Sequence, residues 1–192
     1  VNRGVDPNTL LVGDRNALIV AVRITGYGSE YKTEVSCPNC NKRNSFVFDI
    51  SEPETSFPDA DFLEQVGALR TENDTFIFEL PRTKVSVEVR LINGHDEKSL
   101  AARVKQKKKA KMPESNSTEQ FRLILVSVNG DASSSSINQL INVMPALDSR
   151  YLRGIYKKLN PNIDLTQEFC CDECDYEGSM EVPFTSDFLW PK

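Results

Sequence analysis

The sequence predicts an α+β protein in which a split, zinc-ribbon-like pair of C-x-x-C β-hairpins closes a mixed domain with several short helices. Three observations carry that reading. Two C-x-x-C motifs, Cys37-Pro-Asn-Cys40 and Cys171-Asp-Glu-Cys174, each sit between two strand-like segments. Residues 75–91 alternate apolar and polar side chains with period two. Beyond residue 93 the apolar residues recur at helical spacing as far as Asn160. Strands and helices segregated along the chain in this way fit an α+β layout.

The cysteines come first because they tie the ends of the chain together. A tetrahedral zinc ion takes four ligands, with thiolate sulfur at about 2.3 Å. One C-x-x-C turn supplies two of them, so two knuckles complete a site from Cys37, Cys40, Cys171 and Cys174. The chain holds five cysteines, an odd number that suits a thiolate metal site in a reducing compartment better than a disulfide framework. Cys170 is the bystander, because Cys171 with Cys174 gives the knuckle spacing. A closed four-thiolate site leaves no position for water or substrate, so this zinc would be structural. Asn41 and Asp175 follow the second cysteine of each knuckle. That position favours left-handed backbone, which Asn tolerates better than Asp. A redox role fits poorly, since neither pair opens a helix.

Along the chain, Asp6-Pro7 signals a helix start and Gly13-Asp14 a second one. The segment Ala17–Thr25 is apolar nearly all round, so its helix should be buried in its own core or against a partner. Arg15 and Arg23 read as flanking, solvated residues, and Gly26 and Gly28 end the helix. Glu30–Ser36 and Ser45–Ile50 are strands on either side of the first knuckle, with Phe46, Phe48 and Ile50 on one face. Ser51–Asp61 reads as a loop and Phe62–Leu69 as a short helix or irregular segment. Thr75–Leu80 and Lys84–Leu91 form a hairpin about Pro81-Arg82-Thr83. A helix starts at Asn93 or Asp96, with acids in its first turn and Lys105, Lys107, Lys108, Lys109 and Lys111 at its end, matching the helix dipole. Met112–Ser117 is a break and Thr118–Val128 a helix. Ser133–Ser136 caps a helix carrying Ile137, Leu140, Ile141 and Met144. Pro145 ends it, and the last helix begins near Ala146, with Leu147, Tyr151, Ile155 and Leu159, joined by Leu152, on its apolar face. Asn160-Pro161-Asn162 stops that helix. Gln167–Cys170 leads into the second knuckle, Ser179–Phe184 returns from it, and an aromatic tail follows. The parts form a single domain over 1–192: N-terminal helix and first knuckle (1–50), β-rich insertion (51–92), helical region (93–160), second knuckle and tail (161–192).

Composition narrows the function. The formal charge of −5 and the pI near 5.1 argue against a dedicated duplex binder. The lysine run has no interleaved aromatic residues, so it reads as a solvated helix end. No apolar run approaches the roughly 18 residues of a membrane-span candidate. The first 30 residues lack the marks of a signal peptide, which points to a protein made inside the cell. The start at Val1 points to a missing N-terminal piece. His95 is the lone histidine. No nucleophile elbow, phosphate-binding glycine loop or metalloprotease pair accompanies it, so the reading is non-enzymatic, without a small-molecule substrate. The acids Glu168, Asp172, Glu173, Asp175 and Glu177 read as a solvated turn. The segment Met144–Arg153 suggests contact: Asp148 as a helix cap, Arg150 and Arg153 reaching outward. Trp190, with Phe184, Phe188 and Leu189, either anchors a neighbouring subunit or a second copy, or folds onto its own hairpin.

These residues also carry a family resemblance. Leu10-Leu-Val-Gly-Asp-Arg-Asn16, followed by Arg23-Ile-Thr-Gly-Tyr-Gly28 running into Cys37-Pro-Asn-Cys40, resembles the opening of a baseplate protein family of T-even-type contractile-tailed phages. Met144–Arg150 with Leu152-Arg153, Asn160-Pro161, and Cys171–Cys174 followed by Pro183-Phe184 and Phe188–Pro191 extend it. Glu52 to Asn129 carries little of it. The resemblance implies a structural component of the hub or inner baseplate, made in the host cytoplasm and located in the virion, whose partners are other baseplate and hub proteins. Cys37, Cys40, Cys171 and Cys174 match the family's cysteine pattern, and Cys170 lies outside it. The alternatives are a hub-assembly chaperone absent from the mature virion and a zinc-ribbon nucleic-acid-binding module acting through Lys105–Lys111.

Overall fold

In chain order, a 3-10 turn at Pro7–Thr9 leads into α1 (Val12–Tyr27), β1 (Glu30–Ser36), β2 (Arg43–Asp49), β3 (Glu54–Ser56), α2 (Ala60–Val66), β4 (Leu69–Arg70), β5 (Thr75–Glu79) and β6 (Ser86–Arg90). There follow α3 (Gly94–Lys109), α4 (Asn116–Ile124), β7 (Leu125–Val128), α5 (Ser134–Val143), α6 (Ala146–Leu159), β8 (Asn162–Asp164), β9 (Thr166–Cys170), β10 (Glu177–Glu181) and α7 (Ser186–Leu189). The computed structural model describes residues 4, 6–109 and 116–190. It is an α+β structure, and its elements gather into two units. A sheet unit takes Val1–Val12 and Phe57–Pro161, and a cysteine unit takes Gly13–Ser56 and Asn162–Lys192.

The sheet unit is built on an antiparallel sheet of order β4-β5-β6-β7. Period-two alternation puts Phe76, Phe78, Val87 and Val89 on one face, all buried, where α4 to α6 contribute Phe121, Ile124, Leu140, Leu152, Ile155 and Leu159. Each such large apolar side chain contributes about 2 kcal/mol by leaving water. The same sheet carries a polar row. Glu88 accepts from the Thr75 hydroxyl at 2.6 Å and the Ser127 hydroxyl at 2.8 Å, which ties β5, β6 and β7 together. Leu125–Val128, expected to continue a helix, is a strand instead. Its apolar spacing suits either state, and the open edge of β6 decides it: Val87 pairs with Val128 and Glu88 with Ser127. Asn129 and Gly130, both at positive φ, then turn the chain away.

Several boundaries move. The loop expected over Ser51–Asp61 contains β3, which pairs with β8 at Glu54↔Asp164, Thr55↔Ile163 and Ser56↔Asn162. The segments that leave and re-enter the cysteine unit are thus hydrogen-bonded to each other. Phe62–Leu69 resolves into α2, capped by Asp59 and ended by Gly67 at φ 63°, followed by the two-residue strand β4. The strand returning from the second knuckle runs over Glu177–Glu181, earlier than Ser179–Phe184, because it pairs with Thr166–Cys170. Of the break expected at Met112–Ser117, residues 112–115 lie outside the described residues, as do Lys111 and Pro191, while Asn116 and Ser117 open α4.

Helix α1 also departs from expectation. It is not buried all round in its own core, since Leu18 and Val22 are 53% and 61% exposed, and the alternative of burial against a partner is the one that this exposure leaves standing. Arg23 is not solvated. It is 3% exposed, donates to the Gly28 and Glu30 carbonyls at 2.7 and 2.9 Å, and lies over the Tyr27 and Tyr31 rings. The guanidinium fork caps the turn between α1 and β1, a use invisible to a hydropathy pattern.

Asp148 explains how α6 meets the sheet. Its carboxylate is fully buried and accepts from the Arg82 and Thr83 N–H groups at 2.8 and 3.0 Å. Burial pushes the carboxyl up, but these turn N–H groups outweigh it and hold it below the usual carboxylate range. Asp148 therefore staples the β5–β6 turn and does not cap its own helix. Nearby, Tyr156 accepts from Ile92 N–H at 3.2 Å, and burial pushes its phenol up to about 12, so it stays neutral. Asp148→Ala leaves two turn N–H groups without an acceptor and is expected to cost about 3 kcal/mol in denaturant unfolding. Because the folded carboxyl is depressed, the wild-type advantage is present above the unfolded pKa and is lost as pH falls through the folded value. An unchanged midpoint in the variant would show that the staple is not needed.

Candidate metal centre

The cysteine unit consists of α1, three two-stranded ladders and α7 around an aromatic core. The β1–β2 register runs from Glu30↔Asp49 to Ser36↔Arg43, and the β9–β10 register from Thr166↔Glu181 to Cys170↔Glu177. Phe46 packs edge-on against Phe48 at 4.8 Å and against Phe169 at 5.4 Å between centroids, which joins the two hairpins. Gln167 reinforces the join. Its side-chain amide donates to Asp49 C=O and accepts from Asp49 N–H, as a neighbouring strand would.

Each hairpin ends in the same knuckle. Cys37 N–H donates to Lys42 C=O and Asn41 N–H to Cys37 C=O, both at 2.9 Å. Cys171 N–H donates to Tyr176 C=O at 2.9 Å and Asp175 N–H to Cys171 C=O at 3.0 Å. Asn41 at φ 57° and Asp175 at φ 53° occupy the left-handed position anticipated for them. The Lys42 ammonium and Glu173 carboxylate pair across the two tips, and that pairing raises the Lys42 pKa.

The knuckles bring four sulfurs together. Cys37 Sγ lies 3.8 Å from Cys174 Sγ, and Cys40 Sγ lies 3.8 Å from Cys171 Sγ. All four Sγ atoms are within 4.8 Å of one another. A tetrahedron with metal–sulfur bonds of about 2.3 Å has edges of about 3.8 Å, so the donor set fits one tetrahedral, thiophilic ion. Cys37 and Cys171 are buried. Polar groups face the sulfurs from outside: Asn39 N–H is 3.4 Å from Cys37 Sγ, Asn39 Nδ2 is 3.6 Å from Cys174 Sγ, and buried Asn44 Nδ2 is 3.5 Å from Cys171 Sγ. Such outer donors orient thiolates and temper their charge. Burial pushes the Cys171 thiol up, but the Glu173 and Cys174 N–H groups and the adjoining sulfurs bring it down to about 7. The Lys42 N–H pulls Cys40 down, yet desolvation and the other three sulfurs push it up to about 11. A bare cluster therefore does not hold four negative charges, and a cation at its centre removes that conflict.

Cys170 is exposed and lies outside this cluster, paired in the ladder with Glu177. Among the anticipated contact residues, Arg150, Arg153 and Trp190 are exposed, the last at 69%, whereas Asp148 serves the interior of the sheet unit. The tail divides. Phe188 packs edge-on over Tyr31 at 5.0 Å and is buried, while Phe184 and Trp190 face outward. His95 is exposed and meets Asp6 at 2.9 Å. Asn44 and Gln167 were missed from sequence, and no local pattern marks either. A side chain of ordinary polarity becomes informative only once its neighbours are known.

The backbone geometry gives a direct test. At Asp175 a β-branched residue is strained at positive φ and glycine is not. Asp175→Val is expected to lower the melting temperature by several degrees, with Asp175→Gly at or above wild type. Equal losses in both would show that the carboxylate, not the backbone, matters there.

Comparison with known proteins supplies the setting. A family model described as T4 bacteriophage base plate protein matches residues 1–190. Neither the comparison with curated proteins nor that with solved structures yields a match. The match spans both units, both knuckles and the aromatic tail, and on it the chain belongs to the T4 bacteriophage base plate protein family.

Proposed function

We propose that this chain is a structural, non-catalytic component of the hub or inner part of a contractile-tail baseplate, and that zinc held by Cys37, Cys40, Cys171 and Cys174 clips its cysteine unit shut. The observation that carries the clip is the convergence of four sulfurs at tetrahedral spacing from knuckles more than 130 residues apart in the chain. The family match over residues 1–190 supports the baseplate setting and, with it, other baseplate proteins as partners. Arg150, Arg153 and Trp190 are the contact residues: long or aromatic side chains, exposed, each on an element fixed from behind. Asp148 holds the first two indirectly by fixing the start of α6, and buried Phe188 does the same for Trp190. In the domain description that goes with this reading, residues 1–192 act as one assembly unit.

Metal analysis tests the clip. Freshly purified protein is expected to carry about one zinc per chain. Cys37→Ser and Cys174→Ser should lose both metal and cooperative unfolding, while Cys170→Ser keeps them. Zinc should also be released as pH falls, because protons compete for the thiolates. Wild-type protein without metal would remove the clip from the reading.

Purified particles test the setting. Immunoblotting is expected to find the chain in mature virions in stoichiometric amount. An Arg150→Glu/Arg153→Glu double variant, and separately Trp190→Ala, should fold and bind zinc yet enter baseplates at least tenfold less. A chain present in assembly intermediates but missing from virions would make it an assembly chaperone instead.

A further inference from the structure

One edge of the cysteine unit carries unused hydrogen-bonding groups. Strand β1 belongs to a two-stranded sheet and, among the described residues, is paired only on its β2 side. Cys37 N–H donates to Lys42 C=O, and Ile50 N–H donates to Ser29 C=O. The odd-numbered residues of β1 therefore make the hydrogen bonds to β2. Glu30, Lys32 and Glu34 turn their N–H and C=O groups the other way. Arg23 marks this parity by donating from Nη2 to the Glu30 carbonyl at 2.9 Å. Beyond Glu30, the outward groups of Lys32 and Glu34 have no backbone partner among the described residues. The residues Glu30, Lys32 and Glu34 also border a groove of about 730 Å³ together with Arg23, Ser45, Thr185 and Asp187.

We propose that this groove takes an extended segment of a partner polypeptide, which adds to β1 as a third strand and carries basic, acidic and basic residues at alternate positions. Natural sheet edges are guarded by proline, bulges or covering elements. On the outer side of β2, the Gln167 amide answers Asp49. Among the described residues the edge of β1 has no proline, bulge or covering strand, and the charged side chains Glu30, Lys32 and Glu34 are its guard against indiscriminate pairing. A strand laid along it gains an N–H and a C=O bond at each of Lys32 and Glu34. The charges select which strand. Glu30, Lys32 and Glu34 alternate in sign along the edge, with Asp187 adding a third acid to the groove. Side chains directly across a ladder interact, and like charges there are unfavourable. A matching segment therefore places cations opposite Glu30 and Glu34 and a carboxylate opposite Lys32. Arg43 lies 3.7 Å from Glu34, but both are largely exposed, which leaves Glu34 open to a second partner. Arg23, buried in the wall of the groove, spends its Nη1 and Nη2 groups on the Gly28 and Glu30 carbonyls, so it fixes the start of the edge and does not take part in pairing beyond it. This inference rests on the geometry of the cysteine unit and not on the hub placement proposed above.

The test uses the full-length, metal-loaded chain and an eight-residue synthetic peptide with Lys-Val-Glu-Val-Lys at its centre. Saturable binding is expected, with slowed amide exchange at Lys32 and Glu34, and the charge-inverted peptide should bind at least tenfold more weakly. Glu34→Pro removes one outward N–H without breaking a bond to β2, so metal content should persist and peptide binding should fall at least tenfold. Glu34→Gln keeps the N–H and should weaken binding only a few-fold. A peptide N-methylated at alternate residues tests the same bonds from the partner's side and should not bind. The proposal is overturned by equal binding of the two charge patterns, by full binding of the N-methylated peptide, or by no saturation at millimolar peptide. It is overturned equally by a peptide-free dimer that Glu34→Pro dissociates, which would assign the edge to a second copy of this chain.

Discussion

Four sulfurs that approach to within bonding reach of one ion are the geometric constraint around which the two hairpins of the cysteine unit are arranged. The two hairpins that carry them are short, and a two-stranded ladder is marginal alone in water. The Phe46–Phe169 contact joins them, and the four sulfurs stand at a spacing that suits one shared ion. The cost of closing so long a loop grows only slowly with its length, so an insertion of about a hundred residues between the knuckles is tolerable. The β3–β8 ladder joins the two segments that flank that insertion.

A second principle recurs at the junctions. Wherever the regular ladders stop, a side chain takes over the backbone's hydrogen bonds. Asp148 accepts from the N–H groups of the β5–β6 turn, Arg23 donates to the Gly28 and Glu30 carbonyls, and Gln167 stands in for a strand beside Asp49. Buried backbone groups must be paired, and in a protein made of small ladders there are many ends to pair. This is why two residues that read as surface features, Asp148 and Arg23, are interior ones. The outer edge of β1 stands apart from this pattern, which gives its unpaired groups their weight.

How much was legible depended on the range of the interaction. The knuckles were legible because ligand chemistry fixes both residue type and spacing, and the strands of the first hairpin and of β5–β6 because alternation reports burial on one face. Helix α5 was legible through its serine cap and helical spacing, and α6 through Pro145 and helical spacing alone. β7 was not, since Leu125 and Val128 satisfy a helical face as well as a strand, and the choice lay with the open edge of β6. Nor were β3 and β8, whose three residues each have no pattern and exist only as each other's partner. In the site itself the four cysteines that cluster were readable, while Asn44, which donates to Cys171, was not.

The sequence by itself therefore determined the α+β class, the two knuckles, the four cysteines set apart from Cys170, and the family to which they belong. Each of these follows from residue type at short spacing. The tertiary structure alone decided that the sulfurs meet at tetrahedral distances, that Asp148 and Arg23 turn inward, that Phe188 is buried while Trp190 is left outside, and that β1 keeps a free edge. Those outcomes depend on which backbone groups remain unpaired after distant segments have met, and no local pattern in a chain records that.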